Sequence, residues 1–331
     1  MEYIINDCLD PYFNLALEEY LFHTEDRNMY FWLWQNDNTV VIGKNQNAFQ
    51  EVDHDFLQKN HIKLARRMTG GGAVYHDLGN LNFSFIVPAN NKRDYDFKRF
   101  TDIIAKALQA LGIQAEYSGR NDLLINGKKF SGNAQFVGKE KILHHGTLLF
   151  SADLAMIEKC LTPSLEKLAA HGVGSVKSRV TTIAEHLPAI ISLAEFKEKL
   201  AAHIFAAYDS VNMRELTQEE VQAVHDLRAK KFAAYEWNYG ASPEFNRSKT
   251  KRFAGCGSIN LSMNVKAGII ETCRLTGDFF GSGDVSELEQ LLKNKACAQE
   301  QILAAIAPLD LGYYFGSLSH EDFLELFDFE A

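Results

Sequence analysis

The chain has 331 residues and a mass of 37.3 kDa, enough for about two domains at roughly 150 residues each. Hydrophobic residues at 46% and charged residues at 23% exclude a disordered, collagen-like or coiled-coil protein and supply a sizeable core. Acidic residues number 43 against 34 basic ones, and the net charge of −9 argues against nucleic acid or an anionic membrane as a general partner.

The opening MEYIINDCLDPYFN has neither a basic start nor an apolar stretch, so no secretory signal is expected. No apolar run approaches the roughly 18 residues of a membrane span. Cys8, Cys160, Cys256, Cys273 and Cys297 are too scattered for a zinc knuckle or a CxxC pair. They read as reduced thiols in a cytoplasmic protein. After a first strand, Asp10 as N-cap and Pro11 at the first helical position predict a helix with Phe13, Leu17, Tyr20 and Leu21 on one face. YFWLW and TVVIG read as strands, and residues 52–60 as a short helix. In residues 64–87, Leu81, Phe83 and Phe85 alternate with Asn82 and Ser84, the pattern of a half-buried strand.

Helical spacing recurs from Phe100 to Leu111, and Gly112 ends that helix. NDLLI and KKFSGNAQF flank Asn126-Gly127, the strongest short hairpin signal, and KILHHGTLLF supplies a further strand. A helix follows over 193–208, then a capping box at Thr217 and Glu220. This predicts a mixed, mostly antiparallel sheet carrying helices. Residues 237–252 turn polar and end in a basic run, which reads as a linker. Beyond it come two strands, a capping box at Ser286 and Glu289, a helix ending before Pro308, and a short helix over 321–327. The division is therefore 1–245 and 246–331, the second part a small α+β unit.

Two segments carry chemistry. In Arg66-Arg67-Met68-Thr69-Gly70-Gly71-Gly72-Ala73-Val74-Tyr75, consecutive glycines let backbone N–H groups approach an anion, and Arg67 adds a guanidinium fork. Neither a Walker A loop nor GxGxxG fits, and a flexible surface loop with solvated arginines is the alternative. In the hairpin, a two-residue turn sets Leu124 opposite Lys129 and Asp122 opposite Ser131, so that all four share one face. A carboxylate and an ammonium thus converge, either as a site or as a solvated cross-strand ion pair. His144 and His145 point to opposite faces, so one can look toward Asp122 and Lys129. His76-Asp77 is a polar cluster or a turn. HExxH and GxSxG are missing, which removes zinc-protease and α/β-hydrolase readings.

In their order and spacing, RRMTGGGAVYHDLGNLNFSF, NDLLINGKKFSGNAQ and HHGTLLF resemble the signature blocks of the lipoate–protein ligase A family. SVKSRVTTI near 175–183 and the WNYGASPEF junction extend the resemblance from about Asn14 to Ala331. It implies an α+β biotin/lipoate-ligase fold related to class II aminoacyl-tRNA synthetases, with a C-terminal accessory domain. It also implies two half-reactions: lipoate and ATP give lipoyl-adenylate, and the acyl group passes to a lysine of an acceptor. The implied acceptors are apo lipoyl domains of 2-oxoacid dehydrogenase E2 subunits or the glycine-cleavage H protein. Carried over, Arg67, Gly72, Ala73, Val74, Tyr75 and Lys129 are the implied ATP contacts, and Lys129 is also the catalytic, lipoate-contacting lysine. Charge and hairpin geometry mark Asp122 as the candidate carboxylate on the Mg²⁺ side. Gly71, Gly72 and Val74, with Leu15, Leu17 and Trp34, are candidates to border an apolar tunnel for lipoate, or plain core. The rival activity is an octanoyl or lipoyl acyltransferase of the same fold, using a cysteine thioester, for which Cys160 or Cys8 would have to be a nucleophile and not an inert thiol. A non-catalytic binding module for lipoylated or biotinylated partners is the third reading.

Overall fold

The computed structural model describes residues 1–89, 97–118, 121–161, 179–240 and 245–327. Residues 175–178 of SVKSRVTTI and 241–244 of the WNYGASPEF junction lie outside them. In chain order the first part runs β1 (Glu2–Ile4), α1 (Pro11–Phe22), β2 (Tyr30–Trp34), β3 (Thr39–Ile42), α2 (Ala48–Glu51), α3 (His54–Lys59), β4 (Lys63–Arg66), β5 (Val74–His76) and β6 (Asn80–Pro88). It continues with α4 (Phe97–Ala110), β7 (Glu116–Ser118), β8 (Asp122–Ile125), β9 (Lys128–Val137), β10 (Lys141–Leu149), α5 (Leu154–Cys160), α6 (Leu193–Phe205) and β11 (Asn212–Arg214). The expected N-cap of α1 is present: Asp10 accepts from the Tyr12 amide, with Pro11 in the first turn. The Thr217–Glu220 capping box is present too.

Eight strands form one sheet in the order β11-β1-β2-β6-β10-β9-β8-β7. β11, β1 and β2 run parallel and the remaining pairs antiparallel. A second sheet, β4-β3-β5, has three strands. The alternation along β6 decides what lies on each face. Leu81, Phe83, Phe85 and Val87 pack with Phe100 and Ile104 of α4 and Phe196 and Leu200 of α6 in one core. Ile86 turns the other way, toward Trp32, Leu17 and Leu21, in a core that includes α1. β6 is thus not half-buried: Asn82 and Ser84 are 1% and 0% exposed. Their face is covered by α1 and the small sheet, and the sequence pattern alone could not distinguish this cover from water.

The C-terminal part has its own core. β12 (Arg247–Phe253), β13 (Gly257–Lys266) and β14 (Ile269–Gly277) form an antiparallel sheet. Ile259, Leu261, Phe279, Leu288, Phe315 and Phe323 are among its buried residues. Two expectations are corrected here. The basic run Arg247–Arg252 is not linker but β12, paired residue for residue with β13; its lysines and arginines occupy a sheet edge, where charge deters pairing with other chains. The helix Val285–Leu292 is capped by Asp284, whose carboxylate accepts from the Ser286 amide at 3.1 Å. A carboxylate at that end also complements the helix dipole. Glu289 instead accepts from the Leu275 amide at 2.8 Å.

Candidate active site

A cavity of about 110 Å³ lies between the two sheets of the first part. The large sheet contributes Trp34, Asn82, Asn133, His145 and Thr147, α1 contributes Leu15, and the small-sheet side contributes Val41, Arg67, Val74 and His76. Asn82, on the even-numbered face of β6, therefore looks into a cavity.

The glycine segment forms one wall, with Gly71, Gly72 and Ala73 on the cavity. Gly71 has φ +93°, and a Cβ there would stand 2.9 Å from both Arg67 Nη2 and the Phe280 ring. A Cβ on Gly70 would stand 2.3 Å from the Phe279 carbonyl oxygen. Glycine is required at both positions because the accessory part presses its Phe279-Phe280 segment onto this loop. The Gly71 amide donates to the Phe279 carbonyl at 3.4 Å, and the Gly277 amide to the Asn45 carbonyl at 2.7 Å.

Neither arginine is solvated. Arg67, 6% exposed, donates to the carbonyls of Val41, Gly70 and Gly72 and to Thr69 Oγ1, at 2.7–3.2 Å. Its guanidinium clamps the glycine loop from behind and offers the cavity an edge of its fork. Arg66 donates to the carbonyls of Gly43, Lys44, Gln46, Trp237 and Asn238. It thus ties the loop after β3 to the approach to the accessory part. Burial pushes both guanidinia down to about 10, so both stay cationic at neutral pH.

The hairpin turn is as expected, with Asn126 at φ 50° and Gly127 at φ 75°, the geometry of a type I′ turn. Ile125 pairs with Lys128 and Leu124 with Lys129. The register then slips: Leu123 meets Ser131 and Asp122 meets Gly132, leaving Phe130 as the extra residue of a bulge. Ser131 is accordingly not on the Lys129 face; it is fully buried. Asp122 stays on that face, and its Oδ1 lies 2.8 Å from Lys129 Nζ. The two meet as an ion pair by distance, without hydrogen-bond alignment at Oδ1. Lys129 borders the cavity with Asn121 and Gly132, whereas Asp122 stands behind it. Val180 bridges to Lys129, and the Thr181 amide donates to the Lys129 carbonyl at 2.9 Å, so the described end of the SVKSRVTTI block runs beside the lysine.

Of the histidine pair, His145 faces the cavity. Its Nδ1 donates to Glu18 at 2.8 Å, and its Nε2 pairs with the Thr69 hydroxyl at 2.8 Å. Ser84 Oγ donates to Glu18 at 2.6 Å, and Trp34 Nε1 to Ser84 Oγ at 2.9 Å. Because Arg67 Nε donates to Thr69, a continuous polar chain joins the buried Glu18 carboxylate to the buried Arg67 guanidinium. His144 points away, its ring stacked 4.6 Å from Phe100, and burial holds its pKa well below the usual histidine value. Its Nε2 pairs with Asn133 Oδ1 at 3.2 Å, and Asn133 in turn lines the cavity.

Sequence reasoning did not single out Glu18, Asn82, Asn121, Asn133 or Thr147: the last four lie inside the quoted blocks, but a polar residue in a strand pattern does not show what its side chain faces, and Glu18 belongs to no block. Both Leu15 and Leu17 lie on α1, where Leu15 lines the cavity and the fully buried Leu17 does not. Tyr75 also lies off the cavity, its hydroxyl donating to Asn38 at 3.0 Å. His76 and Asp77 separate: His76 enters the cavity, and Asp77 accepts from the amides of Gly79 and Asp153. Cys160 is fully buried in another core, and burial pushes its thiol up to about 11. Neither Cys160 nor Cys8 lines the cavity. Among the described residues no group of three or more His, Cys, Asp or Glu side chains is placed to hold a metal ion. No described helix is long and apolar enough to cross a membrane.

Residues 10–205 match the family model of the lipoyl protein ligase A/B catalytic domain, and residues 242–327 that of the bacterial lipoate protein ligase C-terminus. The chain belongs to the lipoate–protein ligase family. It is 42% identical to the lipoate-protein ligase LplJ of Bacillus subtilis, over 96% of each chain. It is 37% identical to lipoate–protein ligase 1 of Staphylococcus aureus, over 97% of this chain and 98% of that one. The solved structure of P. falciparum LipL1 in complex with lipoate is 25% identical, covers 93% of this chain and 94% of its own, and superposes with a TM-score of 0.77. The solved structure of a lipoate-protein ligase A bound with ATP is 28% identical, with a TM-score of 0.64 over 72% of this chain and 98% of its own. The lipoate–protein ligase fold therefore accounts for the α+β architecture and both parts of the chain.

Proposed function

We infer that this enzyme ligates lipoate to a lysine of acceptor domains in two steps, through lipoyl-adenylate formed from lipoate and ATP. The observation that carries this reading is the position of Lys129, an ammonium at the edge of a cavity that is also lined by the glycine loop clamped by Arg67. Relatives of the same length are named lipoate–protein ligases, and the similar structures are of ligases with lipoate or with ATP.

The chemistry suits these residues. Attack of a carboxylate on the α-phosphate brings two anions together, so the barrier is largely electrostatic. Lys129 would neutralise both the carboxylate and the phosphate, and the backbone of Gly72, Ala73, Val74 and Tyr75, held in shape by Arg67, would meet the nucleotide. Gly71, Gly72, Val74, Trp34 and Leu15, but not Leu17, would border the acid. Mg²⁺ suits this site only as a companion of the nucleotide, because Asp122 is a single carboxylate and Mg²⁺ commonly combines one or two carboxylates with substrate phosphates. It would supply charge neutralisation at the phosphates. In the second step an acceptor lysine attacks the acyl carbonyl and AMP leaves, with no enzyme nucleophile needed.

We place the functional boundary near residue 245 and assign the accessory part, 246–331, to closure. The cavity is well under the roughly 300–1,000 Å³ of ordinary ligand sites, and Phe280 forms part of its wall. That segment would move aside to admit the substrates and close again over them for adenylation. The acceptors we propose are lipoyl domains of 2-oxoacid dehydrogenase E2 subunits and the glycine-cleavage H protein. An archaeal lipoate protein ligase solved with its E2 lipoyl domain is 30% identical to this chain, which supports the class. Five free cysteines accord with a cytoplasmic setting. Incubation with lipoate, Mg-ATP and a panel of apo acceptor domains, read by intact mass, tests the reading: addition of one lipoyl group supports it, and an ATP-independent transfer from an acylated protein would replace it with the thioester transferase.

A further inference from the structure

Two side chains on the cavity wall have a polar atom with no partner among the described residues. They are His76, 3% exposed, at Nε2 and Asn82, 1% exposed, at Nδ2. The His76 tautomer follows from its neighbours. Asn14 Nδ2 donates to the carbonyls of Cys8 and Gln35, at 2.9 and 2.8 Å, so that nitrogen is fixed as a donor. It also donates to Asn36 Oδ1 at 2.9 Å, which turns Asn36 Nδ2 toward His76 Nδ1 at 3.1 Å. Nδ1 is the acceptor, and the proton must sit on Nε2. Desolvation, with Arg67 nearby, lowers the His76 pKa to about 3, so the ring remains a neutral donor at working pH. Asn82 accepts from Asn80 Nδ2 at 2.9 Å, and its own Nδ2 is left over.

A buried donor without a partner is costly, and here two occur in one cavity. We propose that His76 Nε2–H and the Asn82 amide form a polar subsite that donates hydrogen bonds to an acceptor atom of the bound acid. This rests on the reading that the cavity takes lipoate. Lipoate has acceptors at both ends, carboxylate oxygen and dithiolane sulfur; octanoate has only the first. The two acids therefore separate the sources.

Lipoate and octanoate binding is measured by calorimetry for the full-length enzyme and for His76→Phe, His76→Gln and Asn82→Leu, with thermal unfolding of each ligand-free protein. Lipoate binding should weaken about five- to tenfold in His76→Phe and in Asn82→Leu, the loss of one hydrogen bond. His76→Gln, which keeps a donor and an acceptor, should recover part of it. A parallel loss for octanoate assigns the subsite to the acyl oxygen; a loss confined to lipoate assigns it to the dithiolane. Unchanged lipoate binding in both His76→Phe and Asn82→Leu, with intact folding, overturns the proposal. If a variant unfolds, the remaining soluble variants decide. Failure of the unmodified enzyme to bind lipoate would contradict the functional reading itself, a separate outcome.

Discussion

Lys129 Nζ lies 2.8 Å from Asp122 Oδ1 across a hairpin whose register slips by one residue at Phe130. The bulge keeps the pair on one face while turning Ser131 into the core, and it brings the ammonium to the cavity rim. Lys128, the residue before it, pairs with Ile125 and is exposed.

Lys129→Ala should therefore reduce lipoyl-adenylate formation by at least about a hundredfold, the scale of losing a charged transition-state contact. Lys128→Ala should retain most activity. Single-turnover formation of the adenylate compares them, with circular dichroism to verify folding. Equal losses would contradict the hairpin geometry.

Gly71→Val forces a side chain into backbone at φ +93° and against both Arg67 and Phe280. ATP affinity should fall well beyond lipoate affinity, because the loop's amides lose their shape while the Trp34 side of the cavity is untouched. Separate titrations with ATP and lipoate check this; a loss in lipoate binding alone would reverse the loop's assigned role.

Two buried neutral histidines make stability sensitive to acid. Burial depresses the folded-state pKa of His76 to about 3 and that of His144 well below 6.5, whereas both titrate normally when unfolded. Below about pH 6.5 the unfolded chain binds protons that the folded chain refuses, so stability present above that pH is lost as pH falls. Each such group contributes up to about 1.4 kcal/mol per pH unit. Urea unfolding of His76→Gln between pH 6.5 and 4.5 should show a pH slope smaller by about this amount. An unaltered slope would mean that His76 takes up a proton in the folded protein.

Removal of residues 246–331 should impair adenylate formation more than transfer from supplied lipoyl-adenylate, since Phe279 and Phe280 press on the glycine loop. Phe280→Ala in the full-length enzyme should act in the same direction, more weakly. Unchanged adenylation with lost transfer would make the accessory part an acceptor-docking surface.

Much of this was legible in the sequence. Asn126-Gly127 fixes its turn through two positive φ angles, and Asp10-Pro11 fixes the start of α1 through the cap. The bulge at Phe130 was not legible, because a register slip depends on what the neighbouring strands accept. The cover over the polar face of β6 was not legible either, since Asn82 and Ser84 look the same whether water or a second sheet lies opposite. Arg66 and Arg67 were legible as cations but not as clamps: their partners are backbone carbonyls from segments as distant as Trp237 and Asn238. The basic run Arg247–Arg252 read as linker because edge strands carry the charge that loops also carry.

The most direct measurement of the central claim is exchange of labelled pyrophosphate into ATP, with and without lipoate and in the absence of any acceptor protein. The ligase reading predicts exchange that requires lipoate and is lost in Lys129→Ala. No lipoate-dependent exchange, alongside acyl transfer from an octanoylated or lipoylated donor protein without ATP, would contradict it.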